Sequence, residues 1–245
     1  MVKSHNRIGE INFNKTGSKM VIIEYKSAHD IVIEFDNGYI TKSKYQHFKS
    51  GKIKNPYDKI IYGKGYLGEG KYSSKNKKAY NTWKGMLRRS YDPKYHKKNP
   101  TYEGCSTVDG WHNFQNFAKW FKNNYYEFGD QTMDLDKDIL IKNNKIYSPA
   151  TCLFVPQSIN KLFLKRNSER GLYPIGVSLK RGRGKFRVQT TKGKHLGLFK
   201  DPVEAFQVYK EHKESLIKTI ANKNKNRIPK ILYEAMMKYR IEIDD

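Results

Sequence analysis

Apolar residues recur with two different periods along this chain, and the changes between them mark its segments. Met20 to Tyr25 is rich in strand-forming residues, and Ile31, Ile33 and Phe35 alternate with their neighbours, the period-two pattern of strands with one buried face. Asn37-Gly38 supplies a type I′ hairpin signal before Tyr39-Ile40, and Asn55-Pro56-Tyr57 ends the region. Residues 1–58 therefore predict a small β-rich barrel or sheet. The run from Gly63 to Gly70 is glycine-rich, yet no apolar strand feeds it and no Gly-Lys-Ser/Thr end follows, so a phosphate loop is a poor reading. Residues 59–78 are expected to be a basic, flexible linker, with Lys64, Lys71, Lys75, Lys77 and Lys78 suited to a phosphate backbone.

The period then lengthens. Ala79, Tyr80, Trp83, Met86 and Leu87 fall on one helical face, which leaves Lys84, Arg88 and Arg89 toward solvent or DNA. Trp111, Phe114, Phe117, Ala118 and Phe121 form a second stripe, read as core rather than as a stacking platform for bases. From Asp134 to Phe163 the order is strand, polar turn with Asn143-Asn144, strand, and a helix carrying Asn160, a ββα outline that closes a module over 79–168. Asp134, Asp136 and Asp138 alternate, so they share a face and are candidate Mg²⁺ ligands.

Three strands follow, around Val177-Leu179, Phe186-Val188 and Leu196-Phe199, and then a helix. Asp201 is placed to cap it, Pro202 suits its first turn and Glu204 completes a capping box. Ala205, Phe206, Tyr209, Leu216 and Ile220 are expected to face inward, giving a three-stranded sheet on one helix over 170–222. Leu232, Ala235, Met236 and Tyr239 predict a docking helix in 223–245. The fold class is α+β, in several modules.

Composition narrows the partner. Among 245 residues, 48 Lys and Arg face 24 Asp and Glu, a formal charge of +24. Phosphate neutralises such a surplus with counterion release, so nucleic acid is the expected partner and double-stranded DNA the first choice. The cations are spread through strands, helices and loops, unlike a membrane-binding helix. No window approaches an apolar span and no apolar signal core follows Met1, so no membrane and a cytoplasmic location are expected. Cys105 and Cys152 lack disulfide-framework or zinc spacing and read as small buried hydrophobes.

Alternation in the second of the three strands sends Phe186 and Val188 to the helix and Arg187 and Gln189 to the open face. Arg reads guanine and Gln reads adenine in the major groove by paired hydrogen bonds, while flanking lysines hold phosphates. The candidate DNA contacts are Ser178, Lys180, Arg181, Arg183, Lys185, Arg187, Gln189, Lys194 and His195, with Lys84, Arg88 and Arg89 from the first helix.

Gly176-Val177, Phe186, Leu196-Gly197-Leu198-Phe199 and Glu204-Ala205-Phe206, at these spacings, resemble the ethylene-response-factor type of DNA-binding domain, known also in phage proteins and homing endonucleases. The resemblance covers roughly residues 170–215 and implies groove reading by the sheet; His195 stands where that family carries an aromatic. The size and strand density of the first segment resemble SH3-like barrels of phage proteins, which implies an accessory binding module. Trp83 to Arg89, Trp111 with Phe114, Leu135-Asp136-Lys137, Tyr147-Ser148-Pro149, Cys152 and Asn160 together resemble phage proteins related to HNH endonucleases. That resemblance implies cleavage with Mg²⁺ or Mn²⁺, with Asp136 at the acidic position, Asn143 or Asn144 in the loop, and Asn160 on the helix. Lys137 occupies the general-base position of an active Asp-His pair. A lysine of ordinary pKa, about 10.4, is protonated and accepts no proton from water. His112, the nearest histidine in sequence, reads as a helix-surface residue, and the spacing of Asp136 and Lys137 does not suit a PD-(D/E)xK site. The expectation is a phage-type DNA binder acting in an infected bacterium, with cleavage left open. A non-catalytic regulator or inhibitor of a host nucleoprotein complex and an RNA-binding protein are the alternatives.

Overall fold

The alternating segment at the front of the chain folds as an antiparallel meander. In the computed structural model, which describes residues 7–164, 172–180, 182, 184–190 and 193–245, strands β1 (Ile11–Phe13), β2 (Lys19–Ser27), β3 (Asp30–Phe35) and β4 (Ile40–Ser43) pair in chain order. Met20 and Ile22 of β2 stand opposite Phe35 and Ile33 of β3. Period two puts them on one face, where they pack with Ile31, Phe48 and Ile53. Phe48 comes from the short helix α1 (Tyr45–Lys49). The β3–β4 turn differs from the expected type I′. Only Gly38 takes a positive φ, +81°, and Asn37 does not. Gly38 N donates to Phe35 O at 2.9 Å and Phe35 N to Tyr39 O at 2.8 Å, the longer hairpin loop with a left-handed glycine at its end.

The stretch expected to be a linker is tied down. Tyr66 exchanges backbone hydrogen bonds with the 112–114 segment, donating to His112 O at 3.0 Å and accepting from Phe114 N at 2.9 Å. Gln115 Oε1 accepts from Tyr72 N at 2.9 Å, and its Nε2 donates to Leu67 O and Tyr72 O at 3.2 and 2.9 Å. Gly65 lies so close to Leu87 and Trp83 that a Cβ there would collide with both. Its glycine permits close packing, not looseness. Helix α2 (Lys77–Tyr91), begun by an Asn76 cap on Ala79 N, buries Ala79, Trp83, Met86 and Leu87, and α4 (Phe114–Asn124) buries Phe114, Phe117, Ala118 and Phe121, as their stripes predict. Between them come α3 (Pro93–Lys98) and β5 (Ser106–Thr107). The Trp83 indole N–H donates to Trp111 O at 2.7 Å in the interior.

Chain packing divides the molecule into two units: residues up to 123 with 145–148, and residues 124–144 with 149–245. In the second unit β6 (Met133–Asp136) pairs antiparallel with β8 (Leu153–Pro156), which leads directly into α5 (Gln157–Asn160). The intervening β7 (Ile146–Tyr147) pairs with β5 in the first unit. Next come β9 (Val177–Lys180), β10 (Lys185–Gln189) and β11 (His195–Phe199), ordered β11-β10-β9, then α6 (Pro202–Lys223) and α7 (Lys230–Lys238). Asp201 caps α6 as expected, accepting from Glu204 N at 2.9 Å.

Helix α6 serves two cores. Ala205, Phe206 and Tyr209 pack under the three-stranded sheet with Val188. Ile217 and Ala221 pack with Leu153, Val155 and Ile159 of the β6–β8–α5 segment and with Leu232 and Met236 of α7. The inward row is therefore Tyr209, Lys213, Ile217 and Ala221, with Leu216 and Ile220 only half-buried beside it. Lys213 sits in this buried row at four-residue spacing and hides it from a hydrophobicity pattern. One helix thus closes both cores. Among the described residues no helix is long and apolar enough to cross a membrane.

Candidate nucleic-acid interface

The three-stranded sheet has one face on α6 and one face open. Phe186 and Val188 join Val177, Leu196 and Phe199 on the helix side, so the residues between them point away. The register arranges the open face in rows. Lys180 lies opposite Lys185, and Ser178, Arg187 and Leu198 follow each other across the three strands. Gln189 pairs with His195 beyond a bulge after Val188. That bulge gives β11 an extra residue, which returns Leu196 to the core and leaves His195 exposed beside Gln189. Arg181 and Arg183 lie outside the described residues.

Ser178 Oγ donates to the Arg187 carbonyl at 3.5 Å, and the cations of this face have no acid beside them. Between residues 170 and 200 there are nine Lys and Arg and no Asp or Glu. Among the described residues, Lys180, Lys185, Lys194 and the Arg187 guanidinium make no ion pair. Arg187 Nε is buried and has no hydrogen-bond partner. Leaving a buried donor unmade costs free energy. A guanidinium without an ion pair, on a face that repels other cations, is suited to an anionic or hydrogen-bond-accepting ligand.

The β6–β8–α5 segment has the strand, strand, helix order expected of it, but its polar groups are engaged internally. Asp136 Oδ1 accepts from Asp138 N and Ile139 N, both at 2.8 Å, and so closes the turn after β6. Burial raises the Asp136 pKa, and these two N–H groups only partly offset it. Lys137, 6% exposed, donates from Nζ to Asp138 Oδ1 and Asn144 O, each at 2.6 Å. Asn144 Nδ2 returns a bond to Lys137 O at 2.9 Å, and the neighbouring Asn143 adopts φ +62°. Asn160 reaches Asp134, its Nδ2 donating to Oδ2 at 3.0 Å. The structure thus brings Asp134 and Asn160 together and makes Asp136 and Lys137 parts of a turn. Among the described residues no three His, Cys, Asp or Glu side chains are grouped to hold a metal.

In the first unit, Lys84 is exposed. Arg88 is half-exposed, with Nε 3.5 Å from Asp92 Oδ2 and its guanidinium 4.5 Å from the Tyr95 ring centroid. Arg89 departs from its expected outward pose. Its Nε donates to Tyr147 Oη at 2.8 Å and its guanidinium lies 5.3 Å from the Tyr147 ring centroid. Burial opposes its charge, yet the Tyr147, Tyr102 and Tyr95 phenols raise its pKa overall. The helical stripe hid this because Arg89 lies near the edge of the apolar face and its long stem folds inward. His112 is likewise no surface residue. Its side chain is 13% exposed and its Nε2 lies 2.8 Å from Tyr91 Oη. Tyr91 Oη in turn bonds Thr107 N and O, both at 3.0 Å. Burial lowers the His112 pKa. Leu198 is an open-face residue that alternation alone also offers: it lies one position back from the core residue Phe199 and so turns to the opposite face.

No protein-family model matches the sequence, and comparison with known proteins and with solved structures gives no match.

Proposed function

We propose that this chain binds double-stranded DNA by laying the open face of the β9–β10–β11 sheet in the major groove, and that it holds the duplex without cutting it. The observation that carries this reading is the acid-free group of cations on that face, with Arg187 at its centre and no ion pair to hold it. Arg187 and Gln189 would address base edges, and Lys180, Lys185 and Lys194 the phosphates. The major groove admits such a sheet, whereas the deep, narrow major groove of A-form RNA does not. The ethylene-response-factor resemblance agrees with this use of the sheet. The HNH resemblance is taken as one of architecture: Lys137, bonded to Asp138 and Asn144, replaces the base that would activate water.

Duplex DNA and duplex RNA competing for the protein at several salt concentrations test the partner. DNA is expected to win, with a steep salt dependence; equal competition would remove groove reading. Supercoiled plasmid incubated with Mg²⁺ or Mn²⁺, beside Asp136→Ala, tests the chemistry. Nicking by the wild type that the variant lacks would make the hairpin an active nuclease site.

A further inference from the structure

Among the described residues of β9, β10 and β11, one apolar side chain stands in the open polar face. Leu198 is directly opposite Arg187 in the register and beside no other leucine or valine of that face. The core beneath the sheet is filled from the other side by Val177, Phe186, Val188, Leu196 and Phe199, so Leu198 contributes nothing to it. It is half-buried, leaving apolar surface for a ligand. Neighbouring strands are about 4.8 Å apart, and stacked bases in B-DNA about 3.4 Å apart. With the strands laid across the groove, a side chain one strand over from Arg187 meets the base pair next to the one that Arg187 addresses. Major-groove edges present hydrogen-bonding groups everywhere except at one apolar feature, the C5-methyl of thymine.

We propose that Leu198 is a specificity residue that packs on the C5-methyl of a thymine adjacent to the guanine read by Arg187. This rests on the reading of the sheet face as a DNA-binding surface and adds the base step it prefers. Leucine offers no hydrogen bond to any base edge, so the discrimination comes from burying the methyl group, and loss of that methyl should be felt only when Leu198 is present.

The test begins with selection of sites from a randomised synthetic duplex by the wild-type chain. The enriched duplex is remade with each thymine singly replaced by deoxyuridine, which lacks only the methyl, and titrated by fluorescence anisotropy against wild type and Leu198→Ala. One replacement, next to a guanine whose substitution abolishes the Arg187 contribution, is expected to weaken wild-type binding about fourfold, the factor associated with one buried methyl. The same replacement leaves Leu198→Ala unchanged. The proposal is overturned if every deoxyuridine duplex binds wild type like the parent, or if Leu198→Ala suffers the same loss. It is also overturned if Leu198→Ala loses guanine preference equally on both duplexes, since the leucine would then only support the Arg187 stem. Failure of the underlying reading looks different: no duplex is enriched and Arg187→Ala binds like wild type, which removes both claims.

Discussion

The sheet face around Arg187 and the hairpin around Asp136 carry the two kinds of chemistry that this sequence suggests, and the fold treats them in opposite ways. On the sheet, cations are grouped without acids and Arg187 Nε has no partner. In the hairpin, Asp136 closes a turn, Lys137 bridges Asp138 and Asn144, and Asn160 is bonded to Asp134. A group engaged within the protein stabilises the fold; a charged group without an ion pair on an open face can meet a ligand. The same residue types that spell a nuclease outline in sequence are therefore hydrogen-bonded within the hairpin, while the sheet leaves its cations without ion pairs, the feature on which the proposed binding surface rests.

Substitutions can break or sharpen this contrast. The largest effect is expected at Lys137. Lys137→Ala leaves the Asn144 carbonyl and the Asp138 carboxylate without the ammonium and should lower unfolding free energy by about 2–3 kcal/mol. Urea denaturation measures this; a variant as stable as wild type would show that the lysine is not a structural bridge. Arg187→Ala should do the reverse, weakening specific DNA binding by about 2 kcal/mol with no loss of thermal stability. Titration and melting curves on one preparation compare the two, and a large fall in melting temperature would make Arg187 a fold residue instead.

Asp136→Ala should cost about 1 kcal/mol of stability by removing the acceptor for two turn N–H groups. Asp136→Asn keeps that acceptor and should cost less. The pH profile separates them further. Burial raises the Asp136 pKa, so the folded state binds more protons than the unfolded one. That contribution to stability is fully present below the unfolded carboxylate pKa and is lost as pH rises through the folded value. Asp136→Asn should remove this decline, and an unaltered profile would refute its assignment to Asp136. The smallest effect is expected from Lys180→Ala, which should weaken binding to specific and random duplexes alike and reduce the salt slope by about one. A loss confined to the specific site would move Lys180 from phosphate contact to base reading.

Much of the architecture was legible in advance because local rules decided it. Period-two residues from Met20 to Phe35 predicted a sheet, and the stripes of α2 and α4 named their own buried residues. Asp201, Pro202 and Glu204 announced the start of α6. The mistaken expectations share one cause, which is that a residue's partner lay far away in sequence. Gly63 to Gly70 looks like a linker until Gly65 is seen against Trp83 and Leu87. Arg89 looks solvent-facing until Tyr147 receives its Nε, and His112 looks exposed until Tyr91 meets its ring.

By itself, the sequence determined the mixed helix and sheet content, the acid-free basic character of residues 170–200, and the alternation that turns Arg187 away from the core. These follow from backbone periodicity and composition, which need no distant partner. Only the tertiary structure decided that α6 closes two cores at once and that the bulge after Val188 sets His195 beside Gln189. It alone also left Arg187 Nε unpartnered while Asp136 and Lys137 were drawn into a turn. Availability of a side chain depends on what else reaches it in space, and a one-dimensional pattern does not contain that information.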